Sequence, residues 1–490
     1  MTLKSLDVVL KSLEREIIQG GMGVWVSTHS LAKEYSTLGQ LGVVSGVAQE
    51  IVMTRRLQNG DSTGEVRFAL QQFPDEEFAD WIIDTYFVPG GKKLDAKYIS
   101  VPFPKFSLNS DNSLRLKNDA LSRLITAANF VEVYLAKHGH DNPIGINYLY
   151  KVRYAMLPAL YGAMLAGVDA LMIGAGVARD IPNALTSLTG HNSTTLPIPV
   201  EGAKDHLTKD HLIRFDPQEI FKKKDLMRPA FVGIVSNHMG LRMLPNADAY
   251  IFEGPTAGGH NAPARSKSLN SKGEPDYGAL DAMDFAYMKM WFDKDAQKNG
   301  AMKPHWLAGG YGSPEGLLKA KEHGATGVQI GSVAGYGKGS GIYDPLRLLI
   351  LKQMMDGGTV FTSPDFSSSG YPFKLFQSLD TLENPALYNV RKRICDLGFL
   401  VDLYKTPEGK IGTRCPSENV ANYIKKGGSE KDTINKGCLC NGLPVNVGLG
   451  SPGELPVITC GSDLSSIKIM VNKYGPNYTV KNVIDYILDK

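Results

Sequence analysis

The strongest constraint on the fold is a rhythm of short apolar runs, each followed by a Gly- or Asn-bearing loop and a helical pattern. The first four runs are Glu16-Ile-Ile-Gln19, Leu41-Gly-Val-Val-Ser45, Pro143-Ile-Gly-Ile-Asn147 and Asp169 to Ile173. The next four are Ala230-Phe-Val-Gly-Ile-Val-Ser236, Ala249-Tyr-Ile-Phe252, His305-Trp-Leu-Ala308 and Gly327-Val-Gln-Ile330. Unbroken apolar runs suit parallel strands covered on both faces by helices. Eight such units predict an α/β chain folded as a closed (β/α)8 TIM barrel, with ligands at the C-terminal ends of the strands.

Local signals set the boundaries. Ser313-Pro314-Glu315 reads as N-cap, first-turn proline and dipole-compensating carboxylate, with Gly324 as the matching stop. The barrel is expected over residues 1–357, interrupted after the second strand by an excursion at about 55–112. That excursion feeds a helical pattern from Leu114 to Leu135. Residues 358–490 are expected to form a cysteine-containing C-terminal extension with little strand or helix periodicity. The stretch from Tyr154 to Val177 is nearly free of charge, yet it holds Pro158 and Asp169. Leu157, Leu160, Met164, Leu165 and Val168 recur there at helical spacing, so a buried helix running into a buried strand is predicted, not a membrane span.

A net charge of +3 over 490 residues gives no support for nucleic-acid or polyanion binding. The opening Met1-Thr-Leu-Lys-Ser-Leu-Asp lacks the apolar core of a signal peptide, so a cytoplasmic location is expected. No GxGxxG followed by an acidic residue about twenty positions on marks a Rossmann half. P-loop, HExxH and GxSxG motifs are also missing.

Four glycine-rich places follow predicted strands: Gln19-Gly-Gly-Met-Gly23, Gly174-Ala-Gly176, Glu253-Gly-Pro-Thr-Ala-Gly-Gly-His260, and the pair Ala308-Gly-Gly-Tyr-Gly312 with Gln329-Ile-Gly-Ser332. The loops after strands seven and eight of a barrel commonly hold a phosphate through backbone N–H groups. The third segment leaves room for backbone to approach a flat ligand and then delivers an imidazole that titrates near neutral pH. A phosphate-bearing cofactor in a barrel without a Rossmann half points to FMN or a sugar phosphate.

These segments, in this order, resemble nitronate monooxygenases, FMN enzymes formerly called 2-nitropropane dioxygenases; flavin-dependent enoyl-ACP reductases are their close relatives. The resemblance spans residues 10–350 and rests on Ile17-Ile-Gln-Gly-Gly-Met-Gly23, Glu253 to His260, Leu307-Ala-Gly-Gly-Tyr311 and Gly324-Ala-Thr-Gly-Val-Gln-Ile-Gly-Ser332. It implies that Gly21, Met22 and Gly23 lie against the isoalloxazine and that Asn147 hydrogen-bonds the flavin. Gly258 and Gly259 would let the backbone pass the cofactor. Gly309, Gly310, Gly331 and Ser332 would hold its phosphate, and Gln329 would reach the ribityl chain or ring edge. His260 matches the family's active-site histidine. The implied activity is oxidation of alkyl nitronates with O2. The alternatives are an enoyl-thioester reductase using NAD(P)H, with an acyl carrier as partner, and a flavin-binding scaffold subunit; a homo-oligomer is left open.

The chain departs from compact family members in its excursion, its extension and Asn261-Ala-Pro-Ala-Arg265, where Arg265 reads as a surface residue. Among the other histidines, His138 and His140 read as solvated, and His29 as a cap of the first helical region. His238 is the lesser candidate for the pocket. The five cysteines, Cys395, Cys415, Cys438, Cys440 and Cys460, all fall in the extension. CxC without a second CxxC is poor zinc spacing, so free or buried thiols and no metal are expected.

Overall fold

The computed structural model describes residues 5–202, 211–219 and 225–490; the first four residues of the segment read for a leader lie outside these. Eight parallel strands close into a barrel. They are β1 (Ile17–Gln19), β2 (Leu41–Ser45), β3 (Ile144–Leu149), β4 (Ala170–Gly174), β5 (Ala230–Val235), β6 (Ala249–Glu253), β7 (His305–Ala308) and β8 (Gly327–Ile330). Strands adjacent in this series are adjacent in the barrel, and β8 closes on β1 with Val328 opposite Ile17. Each strand falls on one of the eight predicted runs.

Side chains alternate between the barrel interior and the helical layer. Along β6, Ala249 and Ile251 join Ile18, Val43, Met172, Val232 and Trp306 in the interior core, whereas Tyr250 and Phe252 belong to the outer one. Each aliphatic side chain sealed in this way stabilises the fold by about 1.5–3 kcal/mol. Helix Leu6–Leu13 stoppers the N-terminal end with Val9 and Leu13, and Trp306 donates its indole N–H to the Arg15 carbonyl at 2.8 Å. The filled lower barrel leaves the C-terminal end for ligands.

The stretch 154–177 is largely helix Arg153–Leu165 followed by β4. Among the described residues no helix is long and apolar enough to cross a membrane. Helix Gln49–Gln58 leads into the excursion, which contributes helices Glu65–Leu70 and Glu76–Tyr86. Two local expectations need correction. Leu114–Leu116 is a strand paired with Phe106–Leu108, and the helix starts only at Asp119, capped by Asn118. His29 caps nothing: Thr28 accepts from Leu31 N–H at that helix start. His29 is buried among Glu132, Glu65 and Arg56 instead. Burial alone would lower the His29 pKa, but the two carboxylates reverse this and hold it above its ordinary value.

The extension also differs from expectation, because it carries regular structure and is sewn into the barrel. Strand Phe373–Phe376 pairs with Val360–Ser363 on one side and with the two residues Gly259–His260 on the other. Asp402–Lys405 pairs with Val200–Glu201 from the loop after β4. The closing helix Val480–Ile487 has a Thr479 cap and buries Val480, Val483, Ile484 and Ile487. That is an i, i+3, i+4, i+7 stripe, visible in the sequence.

Glu50, on helix Gln49–Gln58, is buried, and burial pushes its carboxyl pKa from 4.5 up to about 7. A pKa raised on folding costs stability as pH rises from the unfolded value through the folded one. We predict that Glu50→Gln raises unfolding free energy at pH 8 by up to roughly 3 kcal/mol, at about 1.4 kcal/mol per pKa unit. Little change is expected at pH ~4.5, where the folded state is protonated and the unfolded state about half so. Urea melts at the two pH values would check it.

Candidate active site

A cavity of about 320 Å³ opens at the C-terminal end of the barrel. Gly21, Met22, Gly23, Asn147, Gly258, Gly259 and His260 line it, together with Gly309, Gly310, Gln329, Gly331 and Ser332. All twelve residues singled out from the sequence thus meet at one place. Strand alternation explains two of them, Asn147 and Gln329, and a further polar residue of the cavity wall, Glu253. Gly145 and Asn147 share the inner face of β3, Gly327 and Gln329 that of β8, and Ala249, Ile251 and Glu253 that of β6.

The β1 loop is fixed by Ser27. Its hydroxyl donates to the Gly20 carbonyl at 2.9 Å and accepts from Met22 N–H at 2.8 Å and from Gln19 Nε2 at 2.7 Å. Gly21 lies so close to β3 that a Cβ there would stand 2.3 Å from Asn147 Cβ. A Cβ on Gly258 would meet the Cys460 carbonyl carbon at 2.8 Å, so the extension's own backbone occupies the space beside that glycine. Gly331 differs, because a Cβ there would point into open space.

The extension completes the site, and none of its contributions was anticipated. Thr459 Oγ1 accepts from Gly259 N–H at 2.7 Å, and the Pro372 carbonyl accepts from Asn261 N–H at 2.9 Å. Gly461 N–H donates to Ser332 Oγ at 2.7 Å, which leaves the Ser332 hydroxyl proton free for another acceptor. Helix Ser465–Tyr474 brings its N-terminal end to the Gly312 loop, where Ser466 donates to the Gly312 carbonyl at 2.7 Å. Contacts spanning 107 to 200 residues in sequence carry no local signature.

His260 Nε2 lies 2.8 Å from Ser367 Oγ, in the run Ser367-Ser-Ser-Gly-Tyr371 of the extension. Its ring meets Phe373 edge-on at 4.8 Å. Burial, with the nearby Lys151 ammonium, lowers the imidazole pKa to about 3. Lys151 is held by the Ser369 carbonyl and lies 4.6 Å from the centre of the Tyr371 ring. His260 is therefore a neutral imidazole at physiological pH. Ser367 Oγ already accepts from Ser369 N–H at 3.1 Å and lies 2.8 Å from Ser369 Oγ. If the Ser367 proton goes to Ser369, its remaining lone pair accepts His260 Nε2–H and leaves Nδ1 as the basic nitrogen.

The other candidates are placed elsewhere. His238 lines neither this cavity nor the chamber beside it; its Nδ1 accepts from Asp284 N–H at 3.2 Å, next to Tyr287. Arg265 is exposed, at the edge of that second chamber. His138 is exposed beside Phe68, and His140 bonds the Ala136 carbonyl. The cysteines form no disulfide, and among the described residues no group of His, Cys, Asp and Glu is placed to hold a metal. Cys460 lines the cavity as a neutral thiol, pushed by burial to about 12.

The residues present fit FMN. Gln329 Oε1 is buried without a partner at the cavity wall, as an acceptor awaiting a ligand donor would be. The Asn147 side chain also borders the cavity, and Gly331 and Ser332 leave space and a free hydroxyl proton. Among the described residues no Lys or Arg lines the cavity and Asp463 does, so a phosphate here would rest on neutral donors and the end of helix Ser465–Tyr474.

No family model matches the chain, and no curated protein matches it. Among solved structures it is similar to a FabK mutant from Thermotoga maritima, at 15% identity and TM-score 0.45, covering 98% of this chain and 95% of that one. It is also similar to a nitroalkane oxidase from Streptomyces ansochromogenes, at 12% identity and TM-score 0.40, covering 98% and 97%. A third is the enoyl reductase domain of MlnA from the macrolactin biosynthesis cluster of Bacillus amyloliquefaciens, at 11% identity and TM-score 0.49, covering 99% and 97%. Likeness of this degree carries neither an activity nor a ligand over to the chain.

Gly331→Ala separates the fold from the ligand site. Its added methyl meets no atom within 4 Å, so the melt should shift by less than about 1 kcal/mol. FMN affinity should fall at least about tenfold, or about 1.4 kcal/mol, in a titration followed by flavin fluorescence.

Proposed function

We propose that this chain is an FMN-dependent oxidoreductase of the nitronate monooxygenase type, acting on alkyl nitronates with O2. The observation that carries this reading is a neutral, anchored imidazole at a glycine-lined cavity with an unpaired Gln329 acceptor. Gly21, Met22, Gly23 and Asn147 would hold the ring system, and Gly309, Gly310, Gly331 and Ser332 the phosphate. The chemistry FMN supplies when bound is acceptance of an electron pair from a carbanion-like substrate and its transfer to oxygen. A nitronate has already lost its α-proton, so His260 acts on the neutral nitroalkane form, taking that proton as the C–H bond breaks and the nitronate forms. Ser367 holds the ring in register for that transfer. An imidazole with a pKa of about 3 stays unprotonated across the working range, so it offers a lone pair, as a weak base, and no imidazolium charge.

A second reading is enoyl-thioester reduction with NAD(P)H. It is favoured by a further, mainly apolar chamber of about 320 Å³ beside His260, more room than a small nitronate requires. Anaerobic addition of NADH or NADPH distinguishes the two, since prompt bleaching of bound FMN would select the reductase.

His260→Ala should retain FMN and lose about 10²–10⁴-fold in turnover. Unchanged turnover would remove His260 from the mechanism. Ser367→Ala should lower kcat by about tenfold with KM little changed, as expected when a base is held less well. Steady-state kinetics on the two variants would show both effects.

A further inference from the structure

Two chambers meet at one acidic side chain. The barrel cavity and the second chamber, each about 320 Å³, share Ala175, Ile234, Glu253 and His260 in their walls. Glu253 reaches this junction because it follows Ala249 and Ile251 on the inner face of β6, so a rigid strand end fixes its direction. Among the described residues no group donates a hydrogen bond to its carboxylate. The charged groups around the chambers are Lys151 beside His260, Arg265 and Asp281 along the second chamber, and Asp463 in the first. None of them stabilises the charged form of Glu253, and burial alone moves its pKa up to about 7. The two titratable groups at the junction have therefore been driven in opposite directions, the histidine toward a neutral base and the glutamate toward a protonated acid. Such divergence is how paired acid and base roles are set in one site.

We propose that Glu253 is a second proton-handling residue, donating from its carboxyl to an anionic oxygen conjugated to the reacting carbon of a substrate seated where the chambers join. In the transfer the Glu253 O–H bond breaks and the proton bonds to the substrate oxygen. The carboxylate left behind regains a proton from water entering by the second chamber. Nitronates and thioester enolates both present such an oxygen, so the role serves either substrate class. It rests on the oxidoreductase reading given above.

Glu253→Gln keeps a hydrogen-bond donor of the same shape and removes the transferable proton. With FMN bound, wild-type kcat should decline above pH ~7 as Glu253 ionises. The variant should be at least about tenfold slower below pH ~7 and should lack that limb. A second readout uses the protein without flavin, where Glu253→Gln should raise Tm at pH 8 and leave it unchanged at pH ~4.5. An unaltered pH–rate profile in a variant that binds FMN normally overturns the inference, and so does a Tm difference that is the same at both pH values. Failure of wild-type protein to bind FMN overturns the functional reading instead, and the flavin-free melts still decide whether Glu253 holds its proton near neutral pH.

Discussion

The site depends on the backbone pairing between the turn after β6 and the C-terminal extension. A glycine-rich turn at a barrel mouth has few side chains to hold it and many conformations to lose. Here Gly259 and His260 lie as a short strand against Lys374 and Phe373, Thr459 takes the Gly259 N–H, and Pro372 takes that of Asn261. Each bond adds only about 0.5–1.5 kcal/mol. Together they fix the one segment that must present an imidazole in a set direction. Ser367 and Ser369 then fix the ring itself. The extension is thus part of the wall of the candidate site.

The same enclosure sets the electrostatics. Among the described residues the first cavity has no Lys or Arg in its lining, and its thiol at Cys460 is neutral. Charge on His260 or Glu253 is therefore opposed by lost hydration, which lowers one pKa and raises the other. Lys151 adds to the effect on His260 from outside the cavity. A low-dielectric pocket of this kind strengthens whatever hydrogen bonds a substrate makes with Asn147, Gln329 or Glu253.

The barrel was legible because both its signals are local. Continuous apolar runs mark strands buried on two faces, and Ser313-Pro314-Glu315 marks a helix start whose Ser313 hydroxyl accepts from Gly316 N–H at 3.0 Å. The glycine segments gathered at one end because each follows a strand, and parallel strands share their C-terminal side. The stripe Val480, Val483, Ile484 and Ile487 was also present to be read, yet it lies beyond the point where the βα rhythm stops. His29 was misread because a histidine at a helix start resembles a cap until its acidic partners, Glu65 and Glu132, are seen to fold over it.

The sequence by itself determined the closed barrel, the end at which the cavity opens and the twelve residues that meet there, since strand period and loop chemistry act over a few residues. Only the tertiary structure decided that Ser367, Thr459 and Gly461 reach back more than a hundred residues to hold His260, Gly259 and Ser332. Only it placed Glu253 at the junction of two chambers. Burial and long-range hydrogen bonding are properties of the packed molecule, and they set both the direction of the histidine and the proton affinity of the glutamate.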